Sequence, residues 1–143
     1  MVRGILFCAG LMALGAGGAV AETMISCGGS EGKGYYFEGP MLPASEAGWG
    51  DDAITDGGIA LVSTGDRFDI LIKDALGMIS ATSQGAQVQV IDIYDAFVTV
   101  LVNYPKGSKA LYTFDFTRGK VAWSQHRFGV MFDKVHTMVA DCE

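Results

Sequence analysis

Hydrophobic and polar positions alternate along most of this chain with a period of two. That is the spacing of a strand with one buried face, not of a helix. In RFDILIKD (67–74), Phe68, Ile70 and Ile72 fall on one face and Asp69, Leu71 and Lys73 on the other. VQVIDIYD (88–95) alternates less cleanly, with Gln89, Ile91 and Ile93 opposite Val88, Val90, Asp92 and Tyr94. FVTVLVNY (97–104) groups Val98, Val100, Val102 and Tyr104, and ALYTFDFT (110–117) groups Tyr112, Phe114 and Phe116. β-Branched and aromatic residues dominate these runs, as a pleated, half-buried surface requires.

The breaks between the runs agree with that reading. Gly65-Asp66, Asp95-Ala96, the stretch PKGSK (105–109) and Arg118-Gly119 separate successive alternating segments. Connections this short join antiparallel neighbours, whereas parallel strands need crossovers of about a dozen residues or more. With YYFE (35–38), MISAT (78–82), KVAWSQHR (120–127) and KVHTMVAD (134–141), the chain is predicted to hold eight or nine strands. The expected class is all-β, an antiparallel meander forming a small barrel or a sandwich. One long segment, residues 39–57, lacks alternation and reads as an irregular loop with room for a helical turn.

The N-terminus departs from this pattern. Residues 1–21, MVRGILFCAGLMALGAGGAVA, place one Arg before an apolar run that ends in Ala19-Val20-Ala21. This is the layout of a cleaved secretory signal, and its many glycines and short length fit a membrane anchor poorly. The mature chain is then residues 22–143, a single β domain in the periplasm or outside the cell, with no transmembrane segment. Cleavage removes Cys8 and leaves Cys27 and Cys142, one near each end of the mature chain. Two cysteines in an exported chain are expected to form a disulfide. Lipidation of Cys27 competes with this, but Met24-Ile25-Ser26 is a poor lipoprotein motif and Glu22 interrupts the approach to it.

Charge narrows the partners. The chain carries 10 Lys and Arg against 16 Asp and Glu, and loss of Arg3 leaves nine against sixteen, a net −7. Nucleic acid is excluded as a partner, because its recognition needs a basic footprint.

Candidate chemistry is sparse. CGGSEGKGYYF (27–37) has the look of a phosphate-binding loop. It lacks glycine at Cys27, has Gly34 in place of Ser or Thr, and runs into a strand former instead of a helix. DDAITDGG (51–58) begins like a calcium loop but offers Ile54 and Ser63 where oxygen ligands are required, so it reads as a solvated turn. His126 and His136, ten residues apart on the last strands, could meet across a hairpin with a carboxylate such as Asp133. No tight ligand cluster accompanies them, and surface histidines are the expectation. Ser124 shares a strand face with His126, but no nucleophile elbow is present. No metal and no cofactor is expected. The aromatic side chains are expected to fill the core, with a ligand-lined cavity as the alternative. Trp49 stands apart. It lies in the long irregular segment beside Glu46, Asp51 and Asp52, a mixture suited to a contact site.

SCGGSEGKGYYF (26–37), GW with D-A-I-T-D-GGIALV (48–62), FDILIKDALG (68–77), VAWSQ (121–125) and a terminal DC (141–142) together resemble a group of small, uncharacterised exported proteins of proteobacteria. The resemblance covers nearly all of the mature chain and implies a bacterial envelope or secreted setting, with no assigned activity. The leading expectation is therefore an exported, non-enzymatic binding or interaction protein whose partner is an envelope or extracellular protein or a small ligand. A carrier of small hydrophobic ligands with a barrel cavity is the second expectation, and an enzyme the third.

Overall fold

The computed structural model describes residues 18–143. The expected leader, residues 1–21, lies outside the described residues except for its last four. Ten strands follow: β1 (Glu22–Tyr36), β2 (Gly48–Ile54), β3 (Gly58–Thr64), β4 (Arg67–Asp74) and β5 (Gly77–Ser80), then β6 (Gln87–Tyr94), β7 (Phe97–Asn103), β8 (Ser108–Asp115), β9 (Lys120–Arg127) and β10 (Lys134–Cys142). Among the described residues the only helical element is a 3₁₀ turn at Thr82–Gln84. Every strand pair is antiparallel. The all-β antiparallel class read from the alternation is the class of the fold.

The sheet runs β5-β4-β3-β1-β10-β9-β8-β7-β6, with β2 also paired to β1. It is a single sheet curled into a half-barrel. Two meanders, β3 to β5 and β6 to β10, are joined through the first and last strands. β4 and β6 approach within 8 Å between Cα atoms at the far side of the curl, but no ladder connects them. The concave face holds the core. Val98, Val100 and Val102 of β7, Tyr112 and Phe114 of β8, and Val121 of β9 pack against Leu61 and Ile70 from the opposite wall. Tyr112 stacks on Trp123 with ring centres 5.7 Å apart.

The expected hairpins are present. Thr64 pairs with Arg67 and Tyr94 with Phe97, so Gly65-Asp66 and Asp95-Ala96 are two-residue turns. Two expectations need correction. β1 begins thirteen residues before Tyr35, so CGGSEGKG is part of a strand and not a lead-in to one. The segment 39–57 is not one irregular loop either, because Gly48–Ile54 forms β2 and only the part before it is turn and coil. Both strands are hard to read because their alternation is carried by glycine and aspartate. Those residues are depleted in strands and mark turns elsewhere.

Glycine is required in β1 by what lies beside it. A Cβ on Gly32 would come 1.9 Å from the carbonyl oxygen of Thr137, and one on Gly29 would come 2.5 Å from that of Thr55. β2 and β3 both pair with the same edge of β1, end to end, and the break between them at Thr55–Gly57 lies opposite Gly28-Gly29. There the other edge of β1 also shifts register, between Cys27 and Ser30 in the pairing with β10.

Cys27 and Cys142 face each other across the β1–β10 pair and are disulfide-bonded, with Cα atoms 3.8 Å apart and a sequence separation of 115. In the chain-entropy account, closing a loop of this length stabilises by about 4–5 kcal/mol. Reduction, or replacement of both cysteines by Ser, is expected to lower the urea unfolding free energy by about that amount. A change under about 1 kcal/mol would count against the entropic account here.

Candidate functional site

Side chains on the concave face line up in rows across strands. One row joins Ser108, Arg127, Lys134 and Tyr36; the next joins Ala110, Gln125, His136 and Gly34; the third joins Tyr112, Trp123, Met138 and Gly32. The last two rows end on glycines of β1, which carry nothing into the concavity. β2 lies beyond β1, with Asp52 opposite Gly32 and Gly50 opposite Gly34. The Asp52 side chain therefore reaches over the bare backbone of β1 to the residues of β10.

There it receives two hydrogen bonds on one oxygen. Lys134 Nζ donates to Oδ2 at 2.8 Å and His136 Nδ1 lies 2.9 Å from the same atom. Burial pushes the Asp52 carboxyl up, but the bonds and charges of Lys134 and His136 outweigh it and hold the group below its ordinary range. For His136, burial and the Lys134 charge outweigh the pull of Asp52, and the ring stays neutral below its usual value. A carboxylate only accepts, so the neutral ring carries its proton on Nδ1 and keeps a lone pair on Nε2. Tyr36 closes this end, with the Lys134 ammonium 5.3 Å from its ring centre.

Of these groups Lys134 and His136 border a pocket of about 160 Å³, lined also by Trp123, Gln125, Arg127, Lys73, Ser30 and the apolar Ile54, Ile59 and Ile72. Two nine-tenths-buried side chains on its wall have polar atoms with no hydrogen-bond partner, Trp123 Nε1 and His136 Nε2. Their rings meet edge to face at 4.7 Å. One is a donor and the other an acceptor. Buried polar atoms are nearly always paired, and leaving one unpaired costs about 1–3 kcal/mol. Among the described residues no group of three or more His, Cys, Asp and Glu could hold a metal ion.

The structure separates the residues that the sequence grouped. Trp49 and Asp51 project from the outer face of β2, where Trp49 is 74% exposed, lies edge-on to Tyr35 at 5.4 Å, and Asp51 pairs with Lys33 in solvent. Glu46 is in the exposed turn before β2. Asp52, read as part of a solvated turn, points inward to Lys134 and His136. His126 and His136 do not meet. Val135 is the residue opposite His126, so the two rings are on opposite faces, His126 exposed and His136 buried. Ser124 is on the outer face with His126, and Asp133 accepts a bond from the Gly129 amide. Lys134 and Gln125 carry no signal in the sequence, although the β9–β10 register places them on one face with His136 and with Trp123, one of the aromatic residues expected in the core or lining a cavity.

No family model, no curated protein and no solved structure matches this chain.

Two outcomes follow for the buried cluster. Asp52→Asn leaves the Lys134 ammonium buried without a counter-charge and is expected to cost about 3–5 kcal/mol in urea unfolding at neutral pH. Asp51→Asn, which breaks only a solvent-exposed pair, should cost less than about 1 kcal/mol. The pH dependence has a definite sign. The folded ring of His136 resists protonation below its unfolded value of 6.5, so the unfolded chain binds the extra proton first. Stability is therefore full above about pH 6.5 and declines as pH falls toward the depressed folded value. Loss tied to Asp52 comes later, below its unfolded value of 3.8. His136→Gln is expected to remove the decline between about pH 6.5 and 5.5, as read from urea midpoints at half-unit steps.

Proposed function

We propose that the protein is exported and acts as a binding protein, and that the concave pocket lined by Lys134, His136 and Trp123 is its ligand site. One observation carries this reading: Lys134, His136 and Trp123, all buried, line one small cavity, and the two rings each keep a polar atom with no hydrogen-bond partner. Burial of paired charges contributes little to stability compared with apolar residues of the same volume. Polar groups converging on an apolar-walled cavity are the usual composition of a ligand site. The disulfide between the chain's two ends supports export, since such bonds persist in oxidising compartments.

Catalysis fits less well. The Asp52–His136 pair supplies a proton acceptor at Nε2, but among the described residues no hydroxyl or thiol lies within bonding distance of that atom. A second reading, contact with a protein partner through the outer face, draws on the exposed Trp49 and the run of rings Trp49, Tyr35, Phe37 and Phe128. Aromatic anchors are enriched at such contacts.

The two tryptophans separate these readings. Trp49→Phe leaves Trp123, on the pocket wall, as the sole indole. In that variant, members of a panel of small acids, amines, alcohols and sugars are expected to shift Trp123 emission saturably and to raise Tm. Silence of both signals across the panel would remove the pocket as a ligand site and leave the outer aromatic run as the place to look.

A further inference from the structure

Independently of the concave pocket, we infer that the outer face carries a second binding site, a shallow groove beside Trp49 that takes a pyranose bearing a carboxylate. The strand register builds this groove. Trp49, Tyr35, Val135 and His126 follow one another across β2, β1, β10 and β9, each directly opposite the next. Lys33, Thr137 and Ser124 form the neighbouring row on β1, β10 and β9. Directly opposed residues have Cα atoms about 4.5–5.5 Å apart, and successive same-face rows lie about 7 Å apart along a strand. Two rows on three strands therefore span roughly 10 by 7 Å, the footprint of one sugar ring with its substituents. All of these residues but Tyr35 line a groove of about 380 Å³. At about 30 Å³ per water-sized atom that corresponds to roughly thirteen non-hydrogen atoms, the number in one hexuronate.

The lining side chains are open to a ligand. Trp49 is 74% exposed, Lys33, His126 and Thr137 are exposed, and Val135 and Ser124 are half-buried. The edge-to-face contact with Tyr35 at 5.4 Å braces the indole at one end of the groove. A large aromatic left in water beside polar side chains marks a contact site. The C–H face of a pyranose packs on the electron-rich face of such a ring. Its hydroxyls both donate and accept, as do the hydroxyls of Ser124 and Thr137, which stand opposite each other on paired strands. Val135 supplies the apolar floor between them and the indole.

Charge complementarity sets the sign of the ligand. The chain carries 16 Asp and Glu against 10 Lys and Arg, yet no carboxylate lines this groove. The ionisable side chains it presents are Lys33 and His126, while His136 between them sends its ring to the concave side. Lys109, opposite His126 on β8, adds a cation with no carboxylate at ion-pair distance among the described residues. Lys33 bonds Asp51, but their side chains are 70% and 86% exposed. An exposed pair of this kind contributes little, so the ammonium is free to turn to a ligand carboxylate. A neutral sugar leaves the cations unused, and an aromatic acid leaves the hydroxyls unused.

Calorimetry and tryptophan emission test this with the methyl glycosides of glucuronate and galacturonate, with methyl glucoside and methyl galactoside, and with benzoate. At least one uronate is expected to bind saturably and to shift Trp49 emission. Its neutral counterpart and benzoate should each be at least tenfold weaker. Trp49→Ala, which takes nothing from the core, should weaken the uronate at least tenfold. Lys33→Gln combined with Lys109→Gln should bring the uronate down to the affinity of its neutral counterpart. A neutral glycoside that binds as well as its uronate, or benzoate binding alone, would overturn the ligand class. Full uronate affinity in Trp49→Ala would overturn the location, and silence of the whole panel would overturn the site. None of these outcomes bears on the concave pocket, whose reporter is Trp123 in the Trp49→Phe protein.

Discussion

The architecture depends on what β1 lacks. This strand is bordered on one side by β10 and on the other by β2 and β3 in succession, so its backbone is hemmed in along nearly its whole length. Side chains at Gly29 or Gly32 would collide with carbonyls of the neighbouring strands. The same bareness opens the only route by which Asp52 on β2 reaches Lys134 and His136 on β10. A run of glycines normally weakens a strand, through entropy and lost packing. Here the loss is offset by two-sided pairing, by the disulfide at Cys27, and by a buried charged cluster that could not otherwise assemble.

Much of this was legible in the sequence, and the limits are physical. Strands β4 and β7 to β10 announce themselves through β-branched and aromatic alternation, and their turns through Gly and Asp. The pairing of Cys27 with Cys142 was expected because a cleaved leader would leave only these two cysteines. β1 and β2 were obscured because glycine and aspartate report turn propensity locally, while their strand state is imposed by neighbours distant in sequence. Asp52 looked like its neighbour Asp51 for the same reason. A strand sends adjacent residues to opposite faces, so one carboxylate is in solvent and the next in the core. His126 and His136 have the right spacing for one hairpin, but the register pairs His126 with Val135, and a shift of one residue decides the face. The role of Trp123 could not be seen without that register, since a tryptophan amid apolar residues reads as core filling.

The pocket also shows how a small fold accommodates charge. Lys134 and His136 share one acceptor oxygen, so the carboxylate fixes both the ammonium and the tautomer of the ring. The cluster specifies which nitrogen of His136 is left without a partner.

The position of the first and last strands, side by side in the middle of the sheet, sets an order of events in time. A polypeptide is made from its N-terminus, so β1 exists long before β10 does. The meander from β6 to β9 and the hairpins of β3 to β5 involve near neighbours and can close as they appear. One edge of β1 must wait for the nine residues of β10. The two halves of the sheet therefore stay separate bodies, each with an unfinished edge, until β10 is made. Topologies dominated by such distant pairings fold slowly, on the scale of milliseconds to seconds. During that interval the nascent protein presents open edges to anything nearby, and its survival rests on how quickly the last strand arrives.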